Sequence, residues 1–149
     1  MKYQLEVVIL PVADVDRSLA FYTEQLGFDL DVDYRPSDDF RIVQLTPPGS
    51  ACSVQLEAFP PAEVSTGRTH YLVVPDIEAA RQKLLDRGVP VNDVRHKAQI
   101  ERWAGGWEAG VDPERRDYAS FADLVDPDGN RWVLQERGHK PSREESGGP

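Results

Sequence analysis

Cysteine is nearly missing from this chain: Cys52 is the one thiol in 149 residues, which excludes an internal disulfide, a cysteine-based zinc cluster and a dithiol redox pair. A reducing compartment suits such a composition, and the cytoplasm is the expected location. The flanking run Ala51-Cys52-Ser53-Val54-Gln55-Leu56 reads as a strand, so the thiol is taken as buried and inert rather than nucleophilic. Long apolar runs are also absent. No stretch is long enough to cross a bilayer, and Lys2-Tyr3-Gln4-Leu5-Glu6 lacks the pattern of a signal peptide, so the protein is expected to stay where it is made. Positive charge is the third shortage. With 17 Lys and Arg against 26 Asp and Glu the net charge is −9, which opposes a non-specific hold on nucleic acid or on an anionic membrane.

What is present is enough for one core. A 149-residue chain with 40% hydrophobic residues buries one substantial core but hardly two independent ones, so residues 1–137 are read as one domain. Residues 4–12, rich in Val, Ile and Leu, read as a largely buried strand. Asp14 is an N-cap for a helix on which Val15, Leu19, Tyr22 and Leu26 form one apolar stripe, closed by Gly27. Strands follow at 28–34, 40–45 and 52–58, separated by Pro- and Gly-containing turns. The opening move then repeats: a strand at 69–74 leads to Asp76-Ile77-Glu78-Ala79-Ala80 and a helix closing at Gly88, displaced by about 60 residues from its counterpart at Asp14. Short strands are expected at 89–94, 118–125 and 130–136, the last two joined by the tight turn Asp126-Pro127-Asp128-Gly129-Asn130. The fold class is thus α+β, with two tandem βαβββ modules at about 4–60 and 66–136 and a polar, disordered tail at 138–149.

Those residues resemble a known family. Val12-Ala13-Asp14-Val15-Asp16-Arg17-Ser18-Leu19-Ala20-Phe21-Tyr22 with Leu26-Gly27-Phe28, then Asp76-Ile77-Glu78-Ala79-Ala80 with Gly88, then Asp126-Pro127-Asp128-Gly129-Asn130 with strand residues to Gln135, are similar in kind and order to glyoxalase, bleomycin-resistance and dioxygenase proteins of the vicinal-oxygen-chelate type. The resemblance implies curved sheets forming a cup with helices outside, a small-molecule ligand within and a homodimer. It also implies, for members that do chemistry, one divalent metal held by His, Gln or Glu on the first, fourth, fifth and eighth strands. Counted from the helix-opening Asp residues and the last turn, those positions fall on Val7, Gln55, Thr69 and Val133. A valine has no donor and a hydroxyl or a single amide is a weak one, so no metal and no cofactor is expected.

Strand alternation puts Val7, Ile9, Ser53, Gln55, Glu57, Thr69, Tyr71, Val73, Arg131, Val133 and Gln135 on one side, and Val8, Leu10, Val54, Leu56, Leu72, Trp132 and Leu134 in the core. The first set mixes apolar walls with hydrogen-bonding groups, as a small-molecule pocket does, though a filled interior has the same composition. A long connection, Asp93 to Asp117, carries Trp103-Ala104-Gly105-Gly106-Trp107, either an aromatic flap over a ligand or an anchor. The expected ligand contacts are therefore Val7, Ile9, Gln55, Glu57, Thr69, Tyr71, Trp103, Trp107, Val133 and Gln135, in a protein that sequesters a hydrophobic or aromatic compound. The alternative is a metal-dependent lyase, isomerase or dioxygenase with a displaced site of His70, Glu57 and Gln135, which needs a bulge to turn His70 inward. A third reading uses Glu57 or Tyr71 as acid or base without metal. His70 itself is expected in the core, and His96 and His139 in solvent.

Overall fold

The computed structural model describes residues 1–60, 63–64 and 68–141, and they group into two compact units, one of residues 1–68 with the turn 126–130 and one of the remainder. In the first unit, strand β1 (Val7–Val12) leads to helix α1 (Val15–Ala20), then β2 (Asp29–Ser37), β3 (Phe40–Thr46) and β4 (Ser53–Ala58). The Asp14 carboxylate accepts from the Arg17 N–H at 3.1 Å and caps the helix as expected. After Ala20 the helix widens into a π-helix, Phe21–Gln25, whose Leu26 N–H bonds back to the Phe21 carbonyl. Ser18, Phe21 and Tyr22 are buried at i, i+3 and i+4, whereas Val15 and Leu19 are only partly covered. Gly27, at φ 77°, then reverses the chain in the left-handed region that a side chain disfavours.

The sheet of this unit runs β1-β4-β3-β2, with β1 and β4 parallel and the other pairs antiparallel. Leu10, Val12, Val43, Leu45 and Leu56 form its core on the helix side. β2 is an edge strand and extends through Pro36, which an edge tolerates because the missing N–H would have faced solvent. The turn at 126–130 is more than a link. Asp126 accepts from the N–H groups of Asp128 and Asn130 and from the Tyr22 hydroxyl at 2.6 Å, while Asp128 accepts from the Ala13 N–H, Arg17 and Ser18 at the start of α1.

The second unit holds β5 (Thr69–Val74), α2 (Ile77–Asp86), β6 (Arg95–Lys97), β7 (Trp107–Ala109), β8 (Ser120–Val125) and β9 (Arg131–Glu136), in the order β5-β9-β8-β6-β7. The parallel pair is now β5 and β9, so the plan of the first sheet recurs with one strand added at an edge. Asp76 caps α2 through the Ala79 N–H, and Gly88 closes it at φ 81°. Three expectations are corrected here. Residues 89–94 are not a strand: Pro90 lacks a ladder donor, and Val89 and Val91 serve instead as buried plugs. The strand lies at Arg95–Lys97, and the supposed loop contains a hairpin, with Trp107 paired to Lys97 and Ala109 to Arg95. β8 starts at Ser120 rather than at residue 118, because Tyr118 sits at φ 61°. Of the predicted tail, Gly138 donates to Asp117 at 2.8 Å, and residues 142–149 lie outside the described residues.

Candidate functional site

Each sheet is packed against its helix on one face only, and the other face carries the alternating set. In the first unit Val7 lies opposite Ser53, Ile9 opposite Gln55 and Pro11 opposite Glu57. In the second, Thr69 lies opposite Arg131, Tyr71 opposite Val133 and Val73 opposite Gln135. Tyr71 is 60% exposed, Val73 and Ile9 are also open to solvent, and Val133 is a buried floor between its larger neighbours. All eight predicted ligand contacts on these strands therefore stand on the faces away from the helices.

The two faces differ in chemistry. On the first, Gln44 lies opposite Gln55, and Thr46 is hydrogen-bonded to both Asp31 and Ser53. The same face also carries the exposed ring pair Tyr34 and Phe40, while a groove of about 600 Å³ at the α1 side of the unit has Asp16, Asp38, Asp39, Arg35 and Arg41 in its walls, Arg41 being paired with Asp16 and Asp33. The second face is aromatic. Trp103 and Trp107 meet edge to face at 5.1 Å, and Trp107 meets Phe121 of β8 in the same way at 5.2 Å. Trp103 and Trp107 are 40% and 41% exposed, so the array has a packed side and a free side. The Trp103 indole N–H donates to the Gly106 carbonyl at 2.7 Å, and that carbonyl also accepts from Ala98. The segment is thus a hairpin whose rings are held in place by these contacts.

Cations interleave with these rings. The Arg95 guanidinium lies 4.7 Å from the centre of the Trp107 ring, and the Lys97 ammonium lies 4.6 Å from that of Trp103 and 5.3 Å from that of Phe121. Asp123, on the same face, accepts from both Arg95 and Arg131. Arg95, Lys97, Phe121 and Asp123 were not among the predicted contacts. Arg95 and Lys97 lie on a three-residue strand just past the one expected at 89–94, and Phe121 and Asp123 lie within the strand expected at 118–125. His96, expected in solvent, is buried on the opposite face, its ring nitrogens 2.8 Å from the Gly110 carbonyl and 3.2 Å from the Glu108 carboxylate.

Metal-ligating groups are arranged poorly for a metal. His70 lies on the helix side of β5, stacked on Trp132 at 5.0 Å, opposite to the face of Glu57 and Gln135 on their own strands, so the displaced set has no imidazole. The four family positions, Val7, Gln55, Thr69 and Val133, offer one amide and one hydroxyl, and do not fit a divalent ion. Among the described residues, one group of acids and histidine comes together, Asp76, Glu136 and His139, with ligand atoms within 4.8 Å of one another. A cation already serves these acids: Arg115 donates to both Glu136 oxygens, at 2.6 and 3.0 Å, and to Asp76 at 3.2 Å. Glu136 also accepts from the Ile77 N–H. The Ala79 N–H, and then Arg115, hold the Asp76 carboxyl below the usual carboxylate range, and Glu136 raises the Arg115 guanidinium further.

A pair of βαβββ-type units, each with one helix-free sheet face, defines a recognisable class. The profile of the Glyoxalase/Bleomycin resistance protein/Dioxygenase superfamily matches residues 4–134, and the chain belongs to that superfamily. Among solved structures, it is similar to the antibiotic binding protein TnmS3 from Streptomyces sp. CB03234, with 26% identity, a TM-score of 0.66, and 91% of this chain and 96% of that chain covered. A glyoxalase/bleomycin resistance protein from the same organism matches with 26% identity, a TM-score of 0.63 and coverage of 89% and 99%. A superfamily member from Sphaerobacter thermophilus DSM 20745 matches with 25% identity, a TM-score of 0.62 and coverage of 91% and 98%. No curated protein matches this chain at a significant level.

Proposed function

We propose that this protein is a metal-free, non-catalytic binder that sequesters hydrophobic or aromatic small molecules, as a cytoplasmic homodimer. The observation that carries the reading is the anchored Trp103–Trp107–Phe121 array, whose two tryptophans keep a free side to solvent. Rings already held in place lose little freedom when a flat ligand stacks on them, so more of the contact energy appears as affinity. Tyr71, Val73 and Gln135 on β5 and β9 extend the same face, and on the first sheet Ile9, Gln55 and Glu57 hold the matching strand positions. The similarity to an antibiotic binding protein supports the same class of ligand. The weak donors at Val7, Gln55, Thr69 and Val133 and the outward turn of His70 support the metal-free reading.

Two measurements test it together. Titration with planar aromatic compounds is expected to change the emission of Trp103 and Trp107 while the buried Trp132 supplies a constant background, and replacing Trp107 with Ala is expected to abolish the change. Elemental analysis of the purified protein is expected to find no stoichiometric divalent metal. A stoichiometric metal lost on mutating His70 would establish the lyase, isomerase or dioxygenase reading instead. Light scattering decides the dimer.

A further inference from the structure

We infer that the aromatic face of the second sheet selects anionic ligands: a planar ring system carrying a carboxylate or comparable acidic group, with Lys97 as the group that receives the charge. This deepens the proposed function and rests on that site being the binding face.

The observation is an imbalance of charge on one sheet face. Arg95, Lys97 and Arg131 project from neighbouring strands on the side of Trp107 and Phe121, and the strands place one carboxylate, Asp123, among them. Asp123 is divided between Arg95 and Arg131, at 3.2 and 2.8 Å. Nothing is left for Lys97: among the described residues no carboxylate lies within ion-pair distance of it, and its ammonium is held over Trp103 and Phe121 alone. Glu108, the acid of β7, is turned to His96 on the opposite face. Such a concentration of positive charge runs against the whole chain, whose net charge is −9.

Physically, an ammonium on aromatic rings keeps N–H donors directed away from them, and rings satisfy those donors poorly compared with an oxyanion. A ligand whose ring stacks beside Trp103 and Trp107 brings its acidic substituent to these donors and exchanges water for a charge-assisted hydrogen bond. A neutral analogue gains only the stacking. A cationic analogue meets repulsion from Lys97 and Arg95, with Asp123 already shared.

The test is calorimetric titration of the full-length protein with three probes on one ring skeleton: 2-naphthoate, 2-naphthalenemethanol and 2-naphthylmethylammonium. The expected order is naphthoate first by about tenfold, the alcohol next and the ammonium last. Added salt is expected to erode the naphthoate advantage and leave the alcohol unaffected, a readout that needs no variant. Lys97→Met is expected to bring naphthoate down to the alcohol, and Lys97→Arg to retain the preference. Binding of the ammonium as tight as that of naphthoate, or a naphthoate preference that survives both salt and Lys97→Met, overturns the inference. Equal binding of all three, abolished by Trp107→Ala, overturns the charge selection and leaves the aromatic binder standing. If none binds, both fall.

Discussion

The open faces of the two sheets share strand order, parallel pair and register, yet they present different surfaces. Residues at matching places are Ile9 and Tyr71, Gln55 and Val133, Glu57 and Gln135. The first face mixes amides and hydroxyls at Gln44, Gln55, Thr46 and Ser53 with exposed apolar and aromatic groups at Ile9, Val32, Tyr34 and Phe40. The second bears Tyr71 and the Trp103–Trp107–Phe121 array with a surplus of cations, carried largely by the hairpin that the first unit lacks. The lesson is about constraint. Side chains on the packed face must fill a fixed volume and are mostly apolar, so Leu10, Leu56, Leu72 and Leu134 recur in both units, and the exceptions, His70 and Glu136, are partnered. Those on the open face obey only the pleat, which leaves their chemistry free to specialise.

The charge networks differ in the same direction, and breaking them should give the largest effect. Glu136 is fully buried and depends on Arg115, so Arg115→Met should cost about 3 kcal/mol in urea unfolding by leaving a buried carboxylate uncompensated. Arg41→Met in the first unit should cost less than about 1 kcal/mol, because its partner Asp16 is largely exposed. Equal losses would dissolve the contrast. Next in size, Trp107→Ala should weaken binding of an aromatic probe by roughly thirtyfold, the equivalent of about 2 kcal/mol. Gln55→Ala and Ile9→Ala should stay within about twofold by the same calorimetry, if the second face supplies most of the affinity.

A smaller effect appears in acid. In the second unit Asp112 is held below the usual carboxylate range by the Arg116 guanidinium and N–H, and Asp76 by the Ala79 N–H and then Arg115. A carboxyl whose folded-state pKa is depressed contributes stability that is present above its unfolded value, about 3.9, and lost as the pH falls through the folded one. The melting temperature should therefore hold from neutrality to about pH 5 and drop below about pH 4. Asp112→Asn should flatten part of that drop, and Asp33→Asn, at an exposed pair with Arg41, should change it little. Least of all, His70→Phe should alter stability by less than about 1 kcal/mol, since the stacking on Trp132 survives.

Particular residues show why some of this was legible in the chain and some was not. Asp14 and Asp76 announced their helices because an N-cap acts within a few residues of itself, and the alternation in Val7–Val12, Ser53–Ala58, Thr69–Val74 and Arg131–Glu136 announced which side chains share a face because the pleat has a strict period of two. The hairpin was missed because β6 and β7 are three residues each, too short for a period to register, and the Val89-Pro90-Val91 run imitated the strand expected there. The widening of the first helix at Phe21 had no local marker either.

The sequence by itself settled the α+β class, the two repeated units, the helix boundaries at capped ends and the sorting of side chains into packed and open faces, since each follows from forces acting over a few residues. Only the tertiary structure brought Trp103, Trp107, Phe121, Arg95 and Lys97 together, gave Asp123 to two arginines, and seated Arg115 against Glu136. Those relations join residues from separate strands and loops, and their distances are set by strand order and chain reversal, which no local pattern records.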